Sequence, residues 1–232
     1  MSVLKKAANR AMSVWHFLRI QRLRLGSLED RFTSVYTDGV WGDGESASGV
    51  GSNMAHTEVV RRELGPLIER LGVKSMLDVP CGDFNWMRTL ELPLESYIGG
   101  DIVAELVEAN ESKYGREGRS FIHCDVTSDP LPKVDLILCR DLLGHLSLKH
   151  GRAALANMRT SGSQWLLTTT HNKLESNWDL PSGGAYRPLN LEKAPFNLPA
   201  PTELIEEPFP GGPGLDKCLG LWKIDVLPDS DT

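Results

Sequence analysis

The stretch from Met76 to Trp86, Met-Leu-Asp-Val-Pro-Cys-Gly-Asp-Phe-Asn-Trp, constrains this chain more than any other. A short apolar run ends in an acid, Asp78, and passes at once into a tight turn built on Pro80, Cys81, Gly82 and Asp83. A strand that stops on an acid and turns on a glycine opens a nucleotide-binding α/β sheet. The glycine frees the turn from Cβ clashes and lets backbone approach a ligand.

The pattern on either side agrees with that beginning. Strands are expected at 75–79, 96–102, 120–125, 134–139 and 164–170. Helices are expected to begin at 85–90 and to occupy 103–114 and 149–161, with another at 55–71 stopped by Gly72. Strands alternating with helices form a parallel sheet covered on both faces. Two late strands, 202–207 and 218–226, have only a Pro/Gly-rich loop between them, so they pair antiparallel at the sheet edge.

The chain has 232 residues, enough for one α/β domain and an extension, and no apolar run approaches the roughly 20 residues that span a bilayer. Its four cysteines, Cys81, Cys124, Cys139 and Cys218, are scattered, without metal-ligand spacing. They read as buried free thiols of a reducing cytoplasm, and no metal is expected. The net charge of −6 hides an asymmetry: residues 1–24 carry six basic side chains and no acid, leaving −12 on the rest. An acidic body argues against a nucleic-acid partner and leaves a small molecule as the substrate class. Residues 3–18 have the period of a basic amphipathic helix. Such a helix packs on its own domain or on a partner, or lies on an anionic membrane as a peripheral contact. Three divisions follow: an N-terminal extension at 1–35, a covering loop and helix at 36–74, and the sheet domain at 75–228 with an insertion at 172–201.

In a doubly wound sheet, ligands bind outside the carboxyl ends of the strands. Asp101, followed by Ile102, ends the second strand about twenty residues beyond the turn, where an acid accepts from both ribose hydroxyls. Asp125 and Val126 end the third, placed for an adenine amino group and ring. Arg140 and Asp141 end the fourth. A dinucleotide site calls for three glycines around a pyrophosphate, whereas this turn has one glycine and an extra carboxylate, Asp83. A carboxylate repels a pyrophosphate and attracts the ammonium of an amino-acid ligand. That favours S-adenosyl-L-methionine over a dinucleotide.

With these residues in view, the chain from about residue 36 to 228 resembles a class I S-adenosylmethionine-dependent methyltransferase. The segments WGDGESASGVGS, LDVPCGDFNWM, LILCRDLLGHLS, LLTTTH and YRPLNLEKAPFNLP are similar to a bacterial subgroup of predicted small-molecule methyltransferases with a PCGD turn. The resemblance implies a Rossmann-like doubly wound seven-stranded sheet of order 3-2-1-4-5-7-6, with an antiparallel last strand. The turn departs from the family pattern, since Pro80 and Phe84 replace the outer two glycines. Trp41, in the Gly/Ser-rich loop at 36–53, and Trp86 are placed to close over the cofactor or its sulfonium.

Methyl transfer needs alignment and, for a hydroxyl acceptor, a base. Asp141 and His145 are spaced i, i+4, so a helix opening after the fourth strand would let the carboxylate orient the imidazole. Arg140 is a candidate for the methionine carboxylate, an acidic substrate or a surface salt bridge. His171 and Asn172 leave the fifth strand toward the acceptor. The insertion, with Tyr186 and Arg187, reads as a substrate-side lid whose polar and aromatic content suits a sugar or glycolipid hydroxyl. N- or S-methylation of a metabolite, and a non-catalytic interaction protein on the same fold, are the alternatives.

Overall fold

A computed structural model describes residues 26–42, 44–207 and 217–229. The basic segment at 1–24, with its expected helix and membrane contact, lies outside the described residues. Seven strands form one sheet in the order β3-β2-β1-β4-β5-β7-β6. They are β1 (Ser75–Asp78), β2 (Ser96–Asp101), β3 (Arg119–His123), β4 (Leu136–Cys139), β5 (Trp165–His171), β6 (Glu203–Glu206) and β7 (Lys217–Lys223). β1 to β5 are parallel, and β7 runs antiparallel between β5 and β6. Sheet order and the late hairpin are those expected.

Side chains along the central strands alternate between two cores, as the two-residue period of a strand covered on both faces requires. Leu77, Ile137, Cys139, Leu166 and Trp222 face one core, with Ala154, Leu155 and Met158 of α4 (Leu148–Thr160). Met76, Leu136, Leu138, Leu167 and Leu219 face the other, with Val60, Leu64, Leu67 and Ile68 of α2 (Glu58–Leu71). The third helix, α3 (Ala104–Tyr114), gives Leu106 to the first core and Val107 to the second. Gly72 caps α2 in the left-handed conformation. All four cysteines are buried, and none forms a disulfide. No helix among the described residues is long and apolar enough to cross a membrane.

Two elements differ from expectation. The helix expected from residue 85 is only a 3-10 turn, Met87–Thr89. Pro93 stands between it and β2, and a proline there removes an amide donor and disfavours helix in the preceding residue. The second is α1 (Leu28–Thr37), which crosses the division expected at residue 36. Ser27 and Asp30 form a reciprocal capping box at its start. Its Phe32 is buried in the first core, and Tyr36 packs against that core.

Candidate active site

The carboxyl ends of β1, β2, β4 and β5 open into one cavity of about 650 Å³, within the range of small-molecule sites. At the β1–β2 end it is lined by Asp78, Pro80, Cys81, Gly82, Asp101 and Ile102, with Trp86 beside them. Gly82 has φ +54°, and a Cβ there would collide with Ser48 of the covering loop, so the turn and the loop meet only because the residue is glycine. Phe84, where the family pattern has a glycine, also sits at φ +59°. That is a costly backbone for a bulky residue. Its ring lies 5.1 to 5.4 Å from Phe121, Tyr114 and Tyr97, and this packing holds it.

Both oxygens of Asp101 already accept backbone amides, Oδ2 from Gly82 at 3.0 Å and Oδ1 from Val103 at 3.0 Å. A carboxylate has about four acceptor directions, so it keeps capacity for two hydroxyls. Burial raises its pKa, and those amides work against the rise. Asp78, deeper in the floor, is raised by burial to about 7, opposed by the hydrogen bond that Tyr97 donates at 2.7 Å. Acceptor carboxylates, a glycine turn and an apolar wall at Ile102, Val103 and Leu106 fit the ribose and ring of S-adenosylmethionine.

The structure corrects three cofactor expectations. Asp83 turns away from the cavity, accepting from Ser46 Oγ at 3.0 Å, the Ala47 amide at 2.7 Å, Ser48 Oγ at 3.4 Å and the Asn85 amide at 3.3 Å. It fastens the covering loop and does not face an ammonium. β3 ends at His123, before Asp125. Asp125 accepts from the amide and hydroxyl of Thr127 at 2.8 and 2.7 Å, and Val126 is buried in the core, so neither lines the cavity. Arg140 lines the cavity but offers no free fork. It donates to Glu207 at 2.9 Å, to the Gly51 carbonyl at 2.7 Å and to the His56 carbonyl at 3.4 Å.

Arg140 belongs to a buried quartet of two cations and two anions. Asp141 lies 2.6 Å from Lys217 and 3.3 Å from Arg140, and Glu207 lies 2.9 Å from Arg140 and 3.5 Å from Lys217. Burial alone would raise the Asp141 pKa, but Lys217 and then Arg140 outweigh it and hold the carboxyl far below its ordinary range. Asp141 also sits at φ +58°. The chain there makes a 3-10 turn, Leu143–His145, and α4 begins only at Leu148. The expected helical pairing of Asp141 with His145 therefore does not form. The imidazole is oriented instead by the Ala185 carbonyl, 2.9 Å from Nδ1.

His145, His171 and Tyr186 line the β4–β5 end of the cavity with Phe32, Tyr36 and Trp41. The Tyr186 hydroxyl is 3.3 Å from His171 Nε2. Trp41 donates to the Gly184 carbonyl at 2.9 Å, and Arg31 to the Ser182 carbonyl at 3.2 Å, so the N-terminal helix and the insertion close this end together. Arg187 and Asn172 do not line the cavity. Arg187 is buried and donates to the carbonyls of Trp178, Leu143 and Gly144. Sequence reasoning missed Phe32, Lys217 and Glu207. The signals were present: a Ser-x-x-Asp cap before Phe32, and an acid and a lysine on either side of the Pro/Gly-rich loop between the late strands.

Residues 77–161 match a family model described as a methyltransferase domain. No curated protein was found to match the chain. Among solved structures, it is similar to a 1,6-didemethyltoxoflavin-N1-methyltransferase from Burkholderia thailandensis. The TM-score is 0.56 at 19% identity, covering 84% of this chain and 86% of that one. It is also similar to a magnesium protoporphyrin IX methyltransferase from Synechocystis PCC 6803, with TM-score 0.55 at 15% identity, covering 83% and 96%. A third likeness is to the N-terminal domain of EvdMO1, with TM-score 0.52 at 17% identity, covering 72% and 83%. These likenesses are of fold, and the fold is the strand order described above. The residues that match the methyltransferase domain, 77–161, run from β1 through α4 and include Gly82, Asp101, Asp141 and His145 of the cavity.

Proposed function

We propose that the chain is an S-adenosylmethionine-dependent methyltransferase acting on a hydroxyl of a small acceptor, with His145 as the base. The observation that carries the reading is the 2.9 Å contact between His145 Nδ1 and the Ala185 carbonyl. A carbonyl oxygen only accepts, so Nδ1 holds the ring proton and Nε2 carries the lone pair. Among the described residues Nε2 has no hydrogen-bond partner, and the ring lines the cavity. Burial lowers the His145 pKa, and the hydrogen bond to Ala185 opposes that only in part, so the imidazole is neutral at pH 7.

When bound, S-adenosylmethionine supplies a methyl group on a sulfonium, an electrophile that needs no further activation. Asp101 would hold the ribose, Gly82 and the loop braced by Asp83 would admit the cofactor close to the backbone, and Trp41 and Trp86 line the same cavity. His145 Nε2 would take the acceptor proton, while the methyl–sulfur bond of the cofactor would break to leave neutral S-adenosylhomocysteine; a positioned base contributes about 10²- to 10⁴-fold.

Two results follow. His145→Ala lowers kcat by about 10²-fold or more and leaves the Kd for S-adenosylhomocysteine unchanged. The wild-type rate has an acid limb, because a protonated imidazole accepts nothing. With the pKa lowered, that limb has its midpoint below 6.5, the ordinary imidazole value, and activity rises to its plateau as pH increases past it. The limb disappears in the alanine variant. Turnover by His145→Ala at the wild-type rate would remove the base and favour an amine or thiol acceptor.

A further inference from the structure

We propose that the acceptor is an uncharged, flat hydroxyarene, a phenol or hydroxylated heteroaromatic, and not a polyol. This rests on the hydroxyl reading above and narrows it. The first observation is a continuous row of rings along the cavity wall. Phe32 and Trp41 have centroids 5.9 Å apart, Trp41 and His145 4.6 Å, His145 and Tyr186 5.1 Å, and Tyr186 and His171 6.1 Å. All five line the cavity. Neighbouring rings are tilted by 43° to 62°, an arrangement that offers a flat guest both faces and edges.

The second observation is charge. Among the described residues, the charged side chains lining this end, Arg140, Asp141 and Lys217, are closed upon one another and Glu207 as two cations and two anions. An ionic acceptor would meet no uncompensated opposite charge and would lose its hydration on entry.

The third observation concerns the polar residues of the insertion, which in the sequence suggested a sugar. Asn190 is buried, donating to the Asn172 and Leu174 carbonyls and accepting from the Glu192 amide. Asn177 donates to the Asn190 and Ala194 carbonyls. Arg187 binds carbonyls, and the Trp41 indole N–H is taken by Gly184. These bonds fold the insertion and fasten it to the turn after β4 and to Trp41 of the covering loop. On the ring wall, among the described residues, that leaves His145 Nε2, the Tyr36 hydroxyl and the remaining capacity of the Tyr186 hydroxyl, which also pairs with His171 Nε2 at 3.3 Å. They can serve one or two acceptor hydroxyls, and a polyol would bury the remainder unpaired. At the rim the exposed side chains are apolar, Val40, Val50 and the flank of Tyr186, so substituents that extend outward from the ring meet apolar surface.

The test uses the chain saturated with S-adenosylhomocysteine and three probes: 2-naphthol, 2-naphthoate and methyl α-glucopyranoside. Binding is read by titration calorimetry, and methyl transfer separately with labelled cofactor. The expected result is 2-naphthol binding at least about tenfold more tightly than either other probe. Tyr186→Leu weakens it about fivefold or more, with cofactor Kd unchanged; Tyr186 is half-exposed, so the variant folds, and a melting curve verifies this. Equal or tighter binding of the glucoside or the carboxylate overturns the proposal, as does naphthol affinity indifferent to Tyr186→Leu. The two readings separate cleanly. Naphthol bound as expected but methylated at full rate by His145→Ala ends the base and keeps the acceptor class. His145-dependent transfer to a glucoside that outcompetes naphthol does the reverse.

Discussion

Asp101→Ala lowers affinity for S-adenosylhomocysteine by more than about 100-fold. The carboxylate is buried at the end of β2 and lines the cavity, with its lone pairs only partly taken by the Gly82 and Val103 amides. A hydrogen bond to a charged group contributes about 1.5–3 kcal/mol, and a ribose offers two hydroxyls, so about 3 kcal/mol or more is lost. At about 1.4 kcal/mol per tenfold, that exceeds 100-fold. The alanine also leaves two amides without their acceptor, one of them in the turn, which adds to the loss. Asp101→Asn keeps one carbonyl oxygen for those amides and falls between wild type and alanine. Calorimetric titration of both variants checks the order; equal Kd values for wild type and alanine would remove the ribose role.

Glu207→Ala lowers stability by about 3–5 kcal/mol, because it strips one anion from a buried set of four and leaves two cations against a single carboxylate. For a chain of this length that is a fall in melting temperature of about 10 °C. The same change loosens the cofactor site. Arg140 holds the Gly51 carbonyl of the covering loop at 2.7 Å, and Glu207 holds Arg140. Cofactor affinity therefore falls with stability, although Glu207 does not line the cavity. Glu207→Gln keeps the shape and loses the charge, and its effect is smaller. A melting temperature within a degree of wild type for the alanine variant would show that the four charges do not act as a set.

The central strands β1, β4 and β5 were legible because each is short, apolar and bounded by turn residues, and because their side chains alternate between two buried faces. The turn after β1 was legible for a local reason, an acid and a glycine at fixed spacing. What was not legible depended on partners far away in sequence. Asp83 looked available for a ligand, but its four donors come largely from residues 46–48 of a separate loop. Asp141 and His145 have helical spacing, yet Lys217, seventy-six residues downstream, draws the carboxylate away. The polar residues of the insertion resembled a substrate surface because nothing local distinguishes an asparagine that holds carbonyls from one that faces solvent. The helix expected after β1 failed on a local signal, Pro93, which its spacing made decisive.

The measurement that bears most directly on the identity of the cofactor is titration calorimetry of the 232-residue chain with S-adenosylmethionine and, separately, with NAD. The cavity at the β1–β2 end, with Asp101 and Gly82 in place, predicts one saturable site per chain for S-adenosylmethionine and none for NAD. No heat with S-adenosylmethionine at millimolar concentration, or tighter binding of NAD, would contradict it.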